Sequence, residues 1–86
     1  MPWFGGGGSG GGGSDVFLLD KFTATPAQTV FTLTSTPASP ANVLGWVDGV
    51  FYESGVDFSI VGNVATWLDV DFALEGGESV DFYYQI

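Results

Sequence analysis

The stretch that decides the fold is Asn42–Ile60, NVLGWVDGVFYESGVDFSI, in which two runs of apolar and aromatic residues meet at Asp48-Gly49. An Asp-Gly pair between alternating hydrophobic residues is the strongest short-range signal for a tight β-hairpin. A type I′ turn needs positive φ at both central positions, and Asp followed by Gly tolerates this best. The pattern predicts a strand over Val43–Val47, a partner over Val50–Glu53, and a further strand over Asp57–Val61.

The residues after this hairpin continue the β pattern to the end of the chain. Gly62-Asn63 separates two strand-like runs and predicts a second hairpin, whose later strand covers Val64–Leu68. Phe72–Glu78 contains Gly76-Gly77 and is predicted to be a loop. Ser79–Ile86 alternates most cleanly, because four apolar or aromatic residues fall on one face: Val80, Phe82, Tyr84 and Ile86.

The residues before the hairpin give two more strands. Residues 16–24 are predicted to be a strand or an extended arm, and Thr25-Pro26-Ala27 a turn, since proline cannot donate to a β-ladder. Gln28–Thr34 is rich in Thr, Val and Phe and predicts a strand, followed by a proline-containing loop over Ser35–Ala41. The fold class is therefore all-β, a small antiparallel β-sandwich or open barrel of about six or seven short strands.

The amino-acid composition bears on stability and association. The chain has 86 residues and no cysteine, so it forms one small domain without disulfides. Such a domain needs dense aromatic packing or association with copies of itself. Eight Phe, three Trp and three Tyr are more rings than a small monomer hides completely. An oligomer or a bound partner is therefore expected.

The charge balance excludes several classes of partner. The formal net charge is −9, and Lys21 is the only basic residue. Nucleic acids and anionic membrane surfaces are bound through Lys and Arg, so neither is a predicted partner. No apolar run approaches the ~20 residues of a membrane span. The acidic surface is interpreted as favouring solubility, with attraction to a basic partner as the alternative.

The N-terminal residues differ from the rest of the chain. Residues 1–4 form an aromatic peptide, residues 5–14 contain only Gly and Ser, and the β domain covers residues 15–86. A Gly/Ser linker of this length behaves as a random coil with a mean span of about 17 Å. Trp3 and Phe4 are predicted to anchor the chain in a pocket of another protein, because large aromatics dominate small interfaces. The alternative is an engineered spacer with a disordered end.

Six parts of the chain form one pattern by their order and spacing: Phe22-Thr23-Ala24, Gln28-Thr29-Val30-Phe31, Asn42-Val43, Val47-Asp48-Gly49-Val50, Gly55-Val56-Asp57-Phe58-Ser59 and the residues from Val80 onward. Over about Lys21–Ile86, this pattern resembles a small β domain that recurs in phage tail-fibre and related virion structural proteins. Three positions depart from that family's pattern: Pro26 stands where it usually has Gly, Asp48 where it usually has Asn, and Gly45-Trp46 where it usually has an aliphatic pair.

The resemblance implies a structural module without catalytic activity, localised in the virion. We expect a capsid decoration protein, a head fibre or a tail-fibre adaptor. It would dock through its N-terminal peptide on capsid, portal, neck or tail proteins and oligomerise through its β domain, as a trimer. The alternative function is a receptor- or glycan-binding module of a tail fibre.

The sequence contains only weak indications of a metal-binding or catalytic site. Asp69, Asp71 and Glu75 suggest a calcium loop, but their spacing is not that of an EF-hand, so an acidic loop edge is the preferred interpretation. Without His or Cys a zinc site is improbable. No metal, cofactor or catalytic residue is predicted. Asp57 is expected to accept hydrogen bonds from backbone amides of its own turn.

Aromatic residues give the remaining candidate site: Trp46, Tyr52, Trp67, Tyr83 and Tyr84. Rings on a β-sheet face can stack on sugars, or they can belong to the core or to a subunit interface. The core or interface is the preferred interpretation. Tyr83, between Asp81 and Gln85 on the polar side of its strand, is the best candidate for an exposed ring. The first strand of the hairpin has no polar face, which predicts that a second sheet or another subunit covers both of its sides.

Overall fold

The predicted β pattern is confirmed by the computed structural model, which describes residues 16–86. In this part of the chain there are seven strands, at the upper end of the expected number: β1 (Phe17–Thr23), β2 (Val30–Thr32), β3 (Leu44–Val47), β4 (Val50–Glu53), β5 (Phe58–Val61), β6 (Val64–Trp67) and β7 (Ser79–Gln85). One 3₁₀ turn, Pro40–Asn42, precedes β3.

The strands form two antiparallel sheets that pack as a small sandwich. The four-stranded sheet has the order β1-β7-β3-β4, and the three-stranded sheet has the order β2-β6-β5. The C-terminal strand β7 lies between β1 and β3 and pairs with both. The all-β fold class is thus confirmed.

Both predicted hairpin turns are present. Asp48 and Gly49 have φ values of 50° and 82°, as a type I′ turn requires. The Asp48 backbone amide donates to the carbonyl of Ser79 (2.8 Å), and the Ser79 amide donates to the Asp48 carboxylate (2.9 Å). Gly62 has a φ of 59° in the turn between β5 and β6. The Asp48 side chain therefore fixes the hairpin turn to the start of β7.

The core lies between the two sheets and consists of apolar and aromatic side chains. Its buried residues are Ala24, Phe31, Leu33, Val43, Val47, Phe58, Ala65, Trp67, Leu74, Val80, Phe82 and Tyr84. The alternation predicted for the last strand is confirmed, since Val80, Phe82 and Tyr84 all point inward. Phe82 is central and makes ring contacts with Phe31 and Phe58.

The missing side chain of Gly45 leaves room for a ring of the opposite sheet. It lies on the inward side of β3, beneath the Phe58 ring of β5. A Cβ atom at this position would lie 2.7 Å from Cε1 of Phe58, closer than real Cβ contacts allow. The Phe58 side chain is fully buried, so its ring has no free space to move into.

A hydrogen-bonded group joins β1 and β7 to the segment after β2. The Asp20 carboxylate accepts hydrogen bonds from the Tyr84 hydroxyl (2.6 Å), the Thr34 hydroxyl (2.6 Å) and the Thr34 amide (2.9 Å). The Ser35 amide donates to the Tyr84 oxygen (3.1 Å). These bonds connect two sheets at one edge of the sandwich; we call Asp20, Thr34, Ser35 and Tyr84 the edge network.

The edge network shifts two pKa values in opposite directions. Burial raises the pKa of Asp20, but the hydrogen bonds from Thr34 and Tyr84 outweigh burial, so the net pKa lies below its ordinary value. Burial, together with the hydrogen bond to the Asp20 carboxylate, raises the pKa of Tyr84 above its ordinary value. The network is therefore strongest with Asp20 ionised and Tyr84 neutral.

One predicted strand, β2, is shorter than expected, and side chains form hydrogen bonds at both of its ends. β2 covers Val30–Thr32 rather than Gln28–Thr34. At its start, the Gln28 side chain accepts a hydrogen bond from the Thr25 amide (2.9 Å), and at its end Thr34 binds Asp20.

The prediction for Asp57 is confirmed, because its carboxylate accepts a hydrogen bond from the Glu53 amide (2.9 Å).

The predicted turn between β1 and β2 is confirmed and contains an unfavourable residue. The Gln28 amide donates to the Thr25 carbonyl (3.1 Å), which closes a four-residue turn with Pro26 at its second position. Ala27, at the third position, has a φ of 62°. A type II turn requires positive φ there, and glycine is the preferred residue.

Replacing Ala27 with glycine is expected to stabilise the domain by about 0.5–1 kcal/mol. Glycine adopts the left-handed conformation without strain, which stabilises the folded state by about 1–2 kcal/mol. Its greater entropy in the unfolded chain cancels about 0.4–1 kcal/mol of this gain. Urea unfolding measures the difference. The matched control is Ala73→Gly. Ala73 is an exposed loop residue whose φ is not positive, so this substitution should slightly destabilise the domain. A lower unfolding midpoint for Ala27→Gly would contradict the prediction.

Candidate functional site

The candidate site is the outward side of the four-stranded sheet. Residues paired directly across neighbouring strands share a face, so the register identifies the side chains that lie together. One row runs Leu19, Tyr83, Leu44, Glu53 and the next runs Lys21, Asp81, Trp46, Phe51. Phe17 and Gln85 form a pair beside the first row. We call these ten residues the outer aromatic face.

Large apolar side chains on this face are open to solvent. Four of them have high exposed fractions: Phe17 46%, Leu19 51%, Leu44 38% and Phe51 52%. Trp46 and Tyr83 are half-buried beside them. A contiguous exposed apolar surface is typical of interaction sites, which makes this face the candidate site.

The rings of the outer aromatic face pack against one another in pairs. Phe17 stacks on Tyr83 with centroids 5.4 Å apart and an angle of 12° between the ring planes. Trp46 meets the edge of Phe51 at 5.9 Å. These contacts fix the rings on rigid strands, which lowers the entropy cost of binding a partner.

The charged groups of the face are few, and one is incompletely paired. Lys21 lies 3.4 Å from the Asp81 carboxylate, a long and partly exposed ion pair. The other carboxylate oxygen, Oδ1 of Asp81, is buried, and no donor among the described residues reaches it. A buried carboxylate oxygen without a donor costs free energy in the folded state.

The acidic residues of the described chain mostly lie away from the face. Glu53 and Asp81 are on it. The others are in the edge network, the turns and the loops: Asp20, Asp48, Asp57, Asp69, Asp71, Glu75 and Glu78. The face therefore has little net charge, and most carboxylates of the described chain lie elsewhere.

The structure separates the aromatic residues predicted to form a site. Trp46 and Tyr83 lie on the outer aromatic face. Trp67 is only 3% exposed, and its indole N–H donates to the Phe72 carbonyl (2.9 Å); it is a core residue, as the preferred interpretation has it, and its ring is not on a ligand face. Tyr84 is also buried, in the edge network. Tyr52 points to the inner side and meets the Trp67 ring edge-on at 5.1 Å.

Sequence reasoning missed four residues of the face: Phe17, Leu19, Leu44 and Phe51. In their strands, inward and outward side chains alternate. The outward positions, where polar residues are expected, are occupied by apolar ones. For β3 this signal predicts that both sides of the strand are covered. Within the described chain, the second sheet covers the inner side of β3, and Leu44 on its outer side remains exposed.

Other candidates are not part of this site. Trp3, Phe4 and the Gly/Ser linker lie outside the described residues 16–86. Within that range no group of three or more His, Cys, Asp or Glu side chains is placed to hold a metal ion. The same range includes no helix with the length and apolarity needed to cross a membrane.

Comparisons of the chain with protein-family models, with curated proteins and with solved structures found no match. The functional argument therefore rests on the sequence and on the geometry of the outer aromatic face.

Proposed function

We propose that the chain is a non-catalytic structural protein of a phage virion: a capsid decoration protein, a head fibre or a tail-fibre adaptor. Its β domain binds other protein subunits through the outer aromatic face, and Trp3 and Phe4 anchor it to a larger virion protein. The observation that carries the proposal is the exposed apolar surface of Phe17, Leu19, Leu44 and Phe51. The sequence resemblance over Lys21–Ile86 supports the virion as the location.

The chemistry of the face favours assembly over catalysis. Its side chains are mostly aromatic or aliphatic, and its ionisable groups are Lys21, Glu53, Asp81 and Tyr83. Protein interfaces have apolar centres enriched in aromatic residues and depleted of charge. A rigid sheet presenting such a surface is suited to binding another protein.

The N-terminal peptide supplies a second, independent attachment. A four-residue peptide binds weakly alone, but several copies linked to one assembled body bind together. The Gly/Ser linker sets the effective concentration of each peptide near its site. Self-association of the β domain would therefore convert weak individual contacts into stable attachment.

The double variant Trp3→Ala/Phe4→Ala is expected to abolish attachment to virions while leaving the β domain folded. Interface aromatics that act as hot spots contribute about 2 kcal/mol or more each, so removing both lowers affinity by about 1,000-fold. Co-sedimentation with purified particles measures attachment, and circular dichroism checks the fold. Ser9→Ala in the linker is the matched control. Undiminished co-sedimentation of the double variant would contradict the anchoring role.

A receptor- or glycan-binding module is the alternative. The observation that favours it is the stacked pair of Phe17 and Tyr83, which lies beside the polar side chain of Gln85. Sugars bind to exposed rings flanked by hydrogen-bonding groups. A glycan array probed with the full chain separates the two functions: specific signals lost in Tyr83→Ala would favour the alternative, and a blank array would favour assembly.

A further inference from the structure

We infer that the outer aromatic face binds the same face of a second copy of this chain, with β1 of one copy lying over β4 of the other. The inference rests on the proposed role in assembly and makes it specific. The partner is a second copy of the chain, related to the first by a two-fold axis parallel to the strands. Across this axis Lys21 contacts Glu53, and Asp81 contacts Trp46.

The strand order places complementary charges at opposite edges of the same face. Lys21 is on the edge strand β1, and Glu53 is on the other edge strand β4. A two-fold axis parallel to the strands exchanges the two edges, so Lys21 of each copy lies near Glu53 of the other. Lys21 and Glu53 are in adjacent rows of the face. Stacked sheets are about 10 Å apart and adjacent rows about 7 Å apart, and extended Lys and Glu side chains together span this distance.

The same operation places the two central strands of the face over each other. It exchanges these strands, so β3 of one copy lies over β7 of the other. Asp81 and Trp46 occupy the same row, so Trp46 of the second copy lies over Asp81. The indole ring would then cover the partly exposed Lys21–Asp81 ion pair of the first copy.

The charge distribution favours a copy of this chain over a strongly basic partner. Two molecules with a formal charge of −9 each repel one another except where acidic groups are sparse. The outer aromatic face is such a region, and its one cation, Lys21, can pair with Glu53 across the two-fold axis. A strongly basic partner would instead be attracted to the acidic loops, where Asp69, Asp71 and Glu75 lie.

The size of the face sets the expected strength. Four strands about 4.8 Å apart and about 20 Å long outline at most roughly 400 Å² on each copy. Standard stable interfaces bury about 800 Å² per partner. The pair should therefore be a weak, concentration-dependent dimer, and the trimer expected from the resemblance is an alternative that a mass measurement distinguishes.

The test uses the full chain, with mass measured by sedimentation equilibrium over a range of concentrations. The wild type is expected to pass from monomer to dimer. Lys21→Glu and Glu53→Lys each place two like-charge pairs in the interface, so each is expected to dimerise about tenfold or more weakly. An equimolar mixture of the two variants restores both opposite-charge pairs, and it should dimerise more tightly than either variant alone. Circular dichroism checks that both variants are folded.

Several outcomes would overturn the inference. A wild type that stays monomeric, a wild-type trimer, or a mixture no tighter than the single variants would each do so. If Trp3→Ala/Phe4→Ala converts a monomeric wild type to a dimer, the chain's own N-terminal peptide covers the face instead. Co-sedimentation with virions tests the proposed function separately, so attachment without dimerisation would remove this geometry and leave the virion role standing.

Discussion

Replacing Gly45 with alanine is expected to destabilise the domain by about 1–3 kcal/mol, the usual cost of overpacking a filled core. The added Cβ would lie 2.7 Å from the Phe58 ring. That ring is buried against Phe82, with centroids 5.2 Å apart, so it cannot move aside without disturbing the centre of the core. Thermal unfolding should show the effect as a loss of about 4–8 °C for each kcal/mol. Valine at the same position should be worse.

A double-mutant cycle identifies the cause. Phe58→Leu removes the ring that the new methyl group meets, at the cost of a cavity. If the clash is responsible, Gly45→Ala should cost much less in the Phe58→Leu background than in the wild type. Additive costs would show that some other property of Gly45, such as its backbone freedom, accounts for the loss.

Disrupting the edge network with Asp20→Ala is expected to destabilise by about 2–3 kcal/mol. Three hydrogen bonds to a carboxylate are lost, and the buried Tyr84 hydroxyl loses its acceptor. Leaving a buried donor unpaired costs about 1–3 kcal/mol. Urea unfolding measures the change. The matched control, Asp71→Ala, removes an exposed loop carboxylate and should be nearly neutral. Equal losses in the two variants would contradict the role of the network.

The pH dependence of stability follows from the same network. The pKa of Asp20 is lower in the folded state than in the unfolded state. Its contribution is therefore fully present above the unfolded pKa and is lost as the pH falls through the folded pKa. The pKa of Tyr84 is raised by folding, so its contribution is present below the ordinary value of 10.0 and is lost as the pH rises through the folded pKa. Asp20→Asn should flatten the acid side of the stability profile.

The sequence predicted the local elements well because turn residues and two-residue periodicity are local signals. Asp48-Gly49 and Gly62-Asn63 mark their hairpins directly. The inward side chains of β7 follow from alternation alone. The departures at β2 arise where a side chain binds a distant group: Thr34 binds Asp20, and no local pattern reports that pairing.

The outer aromatic face could not be predicted, because it depends on which strands become neighbours. Leu19 and Leu44 lie in one row only because β7 is inserted between β1 and β3. Trp67 resembles Trp46 in sequence context, yet Trp67 lies on the buried side of β6 with Ala65, whereas Trp46 lies on the outward side of β3. Long-range pairing thus decides which aromatic residues are exposed.

The position of Lys21 also determines how trypsin can attack this chain. It is the only residue after which the enzyme cuts, and it lies in the middle of β1, paired with Asp81 of β7. A protease needs an extended, released segment, so the bond becomes accessible only when β1 separates from the sheet. The rate of this single cleavage therefore reports how often the strand opens, and it should fall at concentrations where a second molecule covers the site.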